Sequence, residues 1–246
     1  MAWFETWFDT PYYHILYKDR NFAEAEKFIS LLIKHLDLPQ HSKIVDLACG
    51  KGRHSVFLNQ LGFQVLGLDL SKASILHNKQ FENPTLKFSV HDMRNEISPE
   101  ILPEKADAVF NLFTSFGYFE DEKEDEKVFQ SVANSLKENG FFVLDYLNAR
   151  KVENSLVKEQ IITKGGIDFT IKKKIEDQHI IKDIYFEADG KSQHFFEKVK
   201  LHTLDEIERY AEKYGFESVR TFGNYELGGF DLENSPRCIN IFQKKN

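Results

Sequence analysis

Cysteine and proline are scarce, with two Cys and six Pro among 246 residues. Cys49 and Cys238 cannot build a disulfide framework and have no metal-ligand spacing. A reducing, cytoplasmic setting is therefore expected, with no metal. No apolar run reaches the roughly 18–20 residues that a membrane helix needs, so a membrane is not expected as a partner. The opening MAWFETWFDTPYY lacks the basic region and apolar core of a secretory signal. Positive charge is also in deficit: 32 Lys and Arg stand against 39 Asp and Glu, a formal net charge of −7. A general nucleic-acid binder needs a basic footprint to neutralise phosphates, so nucleic acid is not expected either. Repeats, low-complexity tracts and Pro/Gly/Ser linkers are absent, and the length favours one domain over two.

Aromatic side chains, by contrast, are plentiful at 14%, with 23 Phe among them. Such a chain can bury a substantial core without disulfides. Residues 1–20 read as aromatic-rich and irregular. Asn21, with Glu24 three residues on, suits the start of a helix whose face carries Phe22, Ala25, Phe28, Leu32 and Leu36 and which stops before Pro39. KIVDLACG (43–50), FQVLGLDL (63–70), LKFSVHDM (86–93), ADAVFNLF (106–113) and GFFVLDYL (140–147) read as buried strands. Between them lie helices over 53–62, from Ser71 to about Phe81, and over 121–140, the last closed by Gly140. This alternation means βαβ units and a parallel sheet covered on both faces.

The pattern changes over 158–202, where polar and apolar residues alternate around glycine turns, as in a small antiparallel meander. Thr203 and Glu206 form a capping box for a last helix that Gly215 ends. Strands at 217–223 and 237–245 close the chain. The expected architecture is α/β: a Rossmann-like, doubly wound, seven-stranded sheet with an antiparallel last strand, plus a small antiparallel β insertion. One domain spans 1–246, with an N-terminal lid and helix (1–38), a cofactor-binding half (39–150), the insertion (151–202) and a closing helix and strands (203–246).

Three aspartates, Asp46, Asp69 and Asp92, stand at the carboxyl ends of three successive strands. In an open α/β sheet those ends line one crevice, where ligands bind. Gly50 and Gly52 shape the turn after Asp46 and let a ligand approach the backbone. Like charges would repel a pyrophosphate. They suit a ligand that carries a ribose, an adenine amine and an ammonium.

Taken jointly, these features resemble the class I S-adenosylmethionine-dependent methyltransferases over nearly the whole chain. The resemblance implies S-adenosylmethionine as cofactor. It places Asp46, Ala48, Gly50 and Gly52 in the first cofactor motif, Asp69 on the ribose with Leu70 beside it, and Asp92 on the adenine amine with Met93 at the base. Tyr17 and Arg20 would approach the cofactor carboxylate and Asn111 its methionine part. The stretches YYHILYKDRNFAEAE, LACGKGRH, NLFTSFGYF and SPRCINIF resemble the branch of sugar N,N-dimethyltransferases and glycine N-methyltransferase-like enzymes. That branch implies a small-molecule acceptor, with Tyr12, Tyr13, Thr114, Ser115 and Arg237 in its pocket. Tyr118 falls where some sugar N-methyltransferases carry a His, which implies a positioning role here.

Transfer would follow in-line displacement at N or O. The absence of an evident catalytic dyad favours an amine, since a hydroxyl would need a base. The N-terminal rings are either plain core or a lid over the pocket, and deletion of 1–20 separates the two. The insertion is expected to cover the acceptor pocket or to form a homodimer contact. Three alternatives stand beside this reading. One is a module that binds the cofactor without turnover. Another is a nicotinamide dehydrogenase, disfavoured because Ser55 replaces the third glycine of G-x-G-x-x-G. The third is a nucleic-acid or protein methyltransferase, disfavoured by Asn111-Leu112-Phe113 and by the acidic charge.

Overall fold

The computed structural model describes residues 3–18 and 22–245. Arg20 and the expected helix start at Asn21 lie outside them. The main sheet contains β1 (Lys43–Leu47), β2 (Gln64–Asp69), β3 (Leu86–Val90), β4 (Ala106–Asn111), β5 (Leu136–Leu147), β10 (Phe216–Phe222) and β11 (Arg237–Lys244). Their order across the sheet is β10-β11-β5-β4-β1-β2-β3. β1 to β5 pair parallel. β11 runs antiparallel between β5 and β10, as expected for the last strand. The order reverses between β1 and β4, the switch point where a crevice opens at the carboxyl ends.

Both faces of the sheet are covered, which explains the near-continuous apolar strands. On one face α3 (Phe22–Leu36), α4 (Arg53–Gln60) and α5 (Lys72–Asn78) bury Phe28, Ile29, Leu32, Leu58 and Ile75 against it. On the other, α6 (Glu122–Ser135) and α8 (Leu204–Lys213) bury Val128, Phe129, Val132, Ile207 and Tyr210. The caps are those read from the sequence. Ser71 accepts the Ser74 N–H, and Thr203 with Glu206 forms a complete capping box.

Two boundaries differ. α6 ends at Ser135, short of residue 140, and β5 begins at once. Its entry is irregular: Leu136 pairs with Ala106, then Phe141 with Ala108. Asn139, not Gly140, takes the left-handed turn (φ 62), which Asn tolerates because its short polar side chain bonds locally. Gly140 is small for another reason, since a Cβ there would sit 3.0 Å from both Leu136 Cδ2 and the Lys137 carbonyl. A short helix, α7 (Ala149–Asn154), follows β5.

The N-terminal stretch, expected to be irregular, instead forms two short helices, α1 (Trp3–Trp7) and α2 (Pro11–Leu16). Thr10 caps α2 and Pro11 opens it, a position where the missing N–H is harmless. The insertion is a separate four-stranded antiparallel sheet of β6 (Glu159–Lys164), β7 (Ile167–Glu176), β8 (His179–Ala188) and β9 (Lys191–Lys200). Its inner face presents Phe169, Ile171, Ile184 and Phe186, which pack with Trp7 and Leu16 as a third core. The N-terminal helices therefore cover the insertion while they face the crevice.

Candidate active site

A cavity of about 1100 Å³ occupies the carboxyl ends of β1 to β4. Asp46, Asp69 and Asp92 all line it, so the three carboxylates meet as expected. Ala48, Gly50, Leu70, Met93, Thr114, Ser115, Tyr118, Tyr13, Tyr17 and Arg237 line it too.

The turn after β1 is built from left-handed residues: Ala48 (φ 63), Gly50 (φ 54) and Gly52 (φ 73). A Cβ on Gly50 would meet nothing within 4 Å, because it would project into the cavity. That open cradle fits a ligand lying against the backbone. Gly52 does not line the cavity. A Cβ there would press on Phe88 and on the Asn78 amide, so packing requires a glycine at this position. The Asp69 carboxylate fastens this region by accepting the Gly50 N–H (2.7 Å) and the Ser71 N–H (2.8 Å). Burial pushes its carboxyl above the usual range. Asp46 is more deeply buried, and its carboxyl is pushed up to about 6, mainly by burial, although the Ser55 hydroxyl donates to it at 2.6 Å. Burial also holds the Cys49 thiol well above its ordinary value, with Asp46 and Asp69 adding to the effect. Cys49 is thus a buried thiol of this turn, held toward its protonated form.

Asp92, in the cavity wall, is paired with a neighbouring cation. Arg94 spans it, donating to both oxygens (3.0 and 3.1 Å from Nε), and Arg94 also bonds Glu124 at 2.7 Å. Burial raises the Asp92 carboxyl, but these hydrogen bonds outweigh it and leave it below its usual range. Asn111 does not line the cavity. It is buried in the sheet, where its amide donates to the Leu47 carbonyl at 3.1 Å. Its side chain leaves the strand toward β1 rather than toward the crevice.

Beyond β4 the chain makes a tight turn, and the Tyr118 hydroxyl donates to the Thr114 carbonyl. The Tyr118 ring meets Trp3, Phe4 and Phe8 of the N-terminal segment, with centroids 5.1, 6.0 and 5.7 Å away. Trp3, Phe4, Phe8 and Tyr13 wall the cavity, whereas Trp7 and Leu16 are core. The N-terminal rings therefore divide between cavity wall and core. Tyr12 is not in the cavity wall, since it packs on Phe186 and donates to Asp189 at 2.7 Å on the insertion. Its position on α2 turns it away from the crevice.

Some residues at this site were not foreseen. Glu197 of β9 accepts from Trp7 Nε1 (2.8 Å) and the Tyr17 hydroxyl (2.7 Å), with Lys182 3.3 Å away, and ties the lid to the insertion. Ser71 donates to Asp9, so the lid also reaches the loop after β2. Asp145, fully buried in β5, holds Arg237. A carboxylate within the apolar run FFVLDYL was its only sequence signal.

The methyltransferase-domain family matches residues 17–221. The chain is 27% identical to the glycine/sarcosine N-methyltransferase of Parasynechococcus marenigrum over 91% of its length and 77% of that protein. Its fold matches an S-adenosylmethionine-dependent methyltransferase from Clostridium acetobutylicum with a TM-score of 0.79 at 18% identity, over 96% of both chains. It also matches CalS10, an S-adenosylmethionine-bound amino pentose methyltransferase from Micromonospora echinaspora, with a TM-score of 0.72 at 17% identity, over 96% of this chain and 98% of that one. A nicotinamide dehydrogenase is ruled out by these matches, as the missing third glycine had suggested. The open cradle at Gly50, the carboxylate at Asp69 and the family match converge: this chain belongs to the class I S-adenosylmethionine-dependent methyltransferases.

Proposed function

We propose that the chain methylates the nitrogen of a small amine. The observation that carries this reading is the cavity itself. Its volume of about 1100 Å³ slightly exceeds the roughly 300–1,000 Å³ of an ordinary ligand pocket, enough for a cofactor and a small acceptor together. Bound S-adenosylmethionine supplies a methyl group on a positively charged sulfur that is already a good leaving group. Asp69 has lone pairs left for ribose hydroxyls after accepting its two backbone N–H groups. Gly50 would let the backbone come close, Leu70 and Met93 of the cavity wall would flank the base, and Tyr17 would stand over the cofactor. Tyr13, Thr114, Ser115, Tyr118 and Arg237 line the same cavity and would border the acceptor. The protein's task is to align nitrogen, carbon and sulfur and to exclude water. An amine attacks as its free base and sheds a proton once the new C–N bond has formed. The lid rings exclude water at that end.

The relatives named above act on glycine, sarcosine and an amino pentose by their names, which supports a small amine as acceptor. The test is release of S-adenosylhomocysteine from S-adenosylmethionine with glycine, sarcosine and amino sugars, against hydroxyl compounds of the same size. Turnover with an amine and none with its hydroxyl counterpart is the expected result. Turnover with hydroxyl compounds alone would overturn the amine. Binding without turnover on any acceptor would favour a non-catalytic module.

A further inference from the structure

Phe113 and Thr114 both hold left-handed backbone (φ 61 and 62), although neither is glycine. Two such residues in succession persist only where the surroundings over-determine them, and such strain clusters at functional sites. Here one residue accepts both backbone N–H groups of the pair. Asp145 Oδ2 accepts the Phe113 N–H at 2.8 Å, and the Asp145 carbonyl accepts the Thr114 N–H at 3.0 Å. Its Oδ1 accepts from Arg237 Nε at 2.8 Å, and Arg237 Nη2 also donates to Thr114 Oγ1 at 2.8 Å. Asp145 is fully buried and is not in the cavity wall, whereas Phe113, Thr114 and Arg237 are. A buried ion pair is a weak source of stability, and apolar residues of similar volume often serve a fold as well. The pair beside the cavity therefore calls for a second reason.

We infer, resting on the methyl-transfer reading above, that Asp145 is a positioning residue that holds the strained turn at Phe113 and Thr114, and the Arg237 guanidinium, in the shape that orients the acceptor. It acts through groups that face the cavity and touches no ligand itself.

The test compares the unaltered chain with Asp145→Asn and with the paired change Asp145→Leu/Arg237→Met, which keeps the region neutral if the single variant fails to fold. Three quantities are read: amide hydrogen exchange over residues 112–118, S-adenosylhomocysteine affinity by calorimetry, and kcat and KM for the amine that turns over best. Expected in Asp145→Asn are exchange faster by about tenfold in that turn, cofactor affinity and KM within about threefold, and kcat lower by about a hundredfold, the scale of lost alignment. In the paired variant the same faster exchange and loss of kcat are expected with KM raised as well, because Arg237 itself lines the cavity. Unchanged exchange in a folded variant overturns the anchoring. Faster exchange with unchanged kcat overturns the role in the reaction and leaves Asp145 merely structural. If the unaltered chain binds no S-adenosylhomocysteine, the methyl-transfer reading falls, and the proposed role falls with it. The exchange rates then still decide whether Asp145 anchors the turn.

Discussion

Asp46 carries a clear pH signature. Its carboxyl is pushed up to about 6 by burial from an ordinary 3.8. A raised carboxyl means that the folded state prefers the protonated form. The stability this lends is complete below the unfolded value and is lost as pH rises through about 6. Two units correspond to roughly 3 kcal/mol. Asp46→Asn, which keeps an oxygen for the Ser55 hydroxyl, should therefore gain on the unaltered chain by about that amount between pH 4 and pH 7. Urea midpoints at both ends of the range measure it, and a difference that does not grow with pH would show that burial does not raise this carboxyl. Four residues on, Gly50→Val adds a branched side chain to a left-handed position that opens on the cavity. The conformational strain costs about 1–2 kcal/mol, so the variant should fold yet lose S-adenosylhomocysteine binding in calorimetry. Near-normal affinity would mean that the turn does not face the ligand. Asp69→Ala removes a charged acceptor and should weaken the same binding by about 1.5–3 kcal/mol. Asp69→Asn, whose one amide oxygen can accept either the Gly50 or the Ser71 N–H but not both, should weaken binding less than Asp69→Ala if the turn survives.

At the scale of elements, the N-terminal helices and the insertion depend on each other. Trp7 is 1% exposed, stacks on Phe195 with centroids 4.8 Å apart and donates to Glu197. Trp7→Ala should cost about 3–5 kcal/mol of stability in chemical denaturation. Deletion of residues 1–20 should then do more than remove a lid, because it bares Phe169, Ile171, Ile184 and Phe186 to water. Both tryptophans of the chain lie in α1, so intrinsic fluorescence reports on the lid. In Trp7→Phe the signal comes from Trp3 alone, which walls the cavity. S-adenosylhomocysteine should change its emission, and NAD should not. A silent titration, with binding proven by calorimetry, would place the lid away from the cofactor.

For the molecule as a whole, a ligand that touches the sheet, the lid and the loops after β2 and β4 must stabilise all of them together. At a hundredfold excess over Kd, S-adenosylhomocysteine adds about 2.7 kcal/mol. A domain of this size shifts by roughly 2–4 °C per kcal/mol, so Tm should rise by about 5–10 °C. Calorimetry checks whether one transition moves. A shift confined to part of the melting profile would mean that the insertion and lid melt apart from the sheet.

Local pattern made much of this legible. Apolar runs between glycine turns marked the parallel strands, and the capping residues Ser71, Thr203 and Glu206 marked helix starts, because those signals act within a few residues. The aspartates at 46, 69 and 92 announced a crevice by ending successive strands. What each then does was decided by partners far along the chain or by immediate geometry. Arg94 claims Asp92, and Gly52 answers to Phe88 and Asn78. The anchoring of Phe113 by Asp145 joins positions 32 residues apart, and the Asp145–Arg237 pair joins positions 92 apart. The N-terminal rings gave no periodicity to read, since α1 and α2 are too short for one and their burial depends on the insertion that follows more than a hundred residues later. Sequence alone thus determined the sheet, the family and the carboxylate ends of its strands, because hydrophobic period, turn chemistry and capping are local. Only chain closure determined which carboxylates face the cavity with lone pairs to spare, because that depends on contacts a local pattern does not encode.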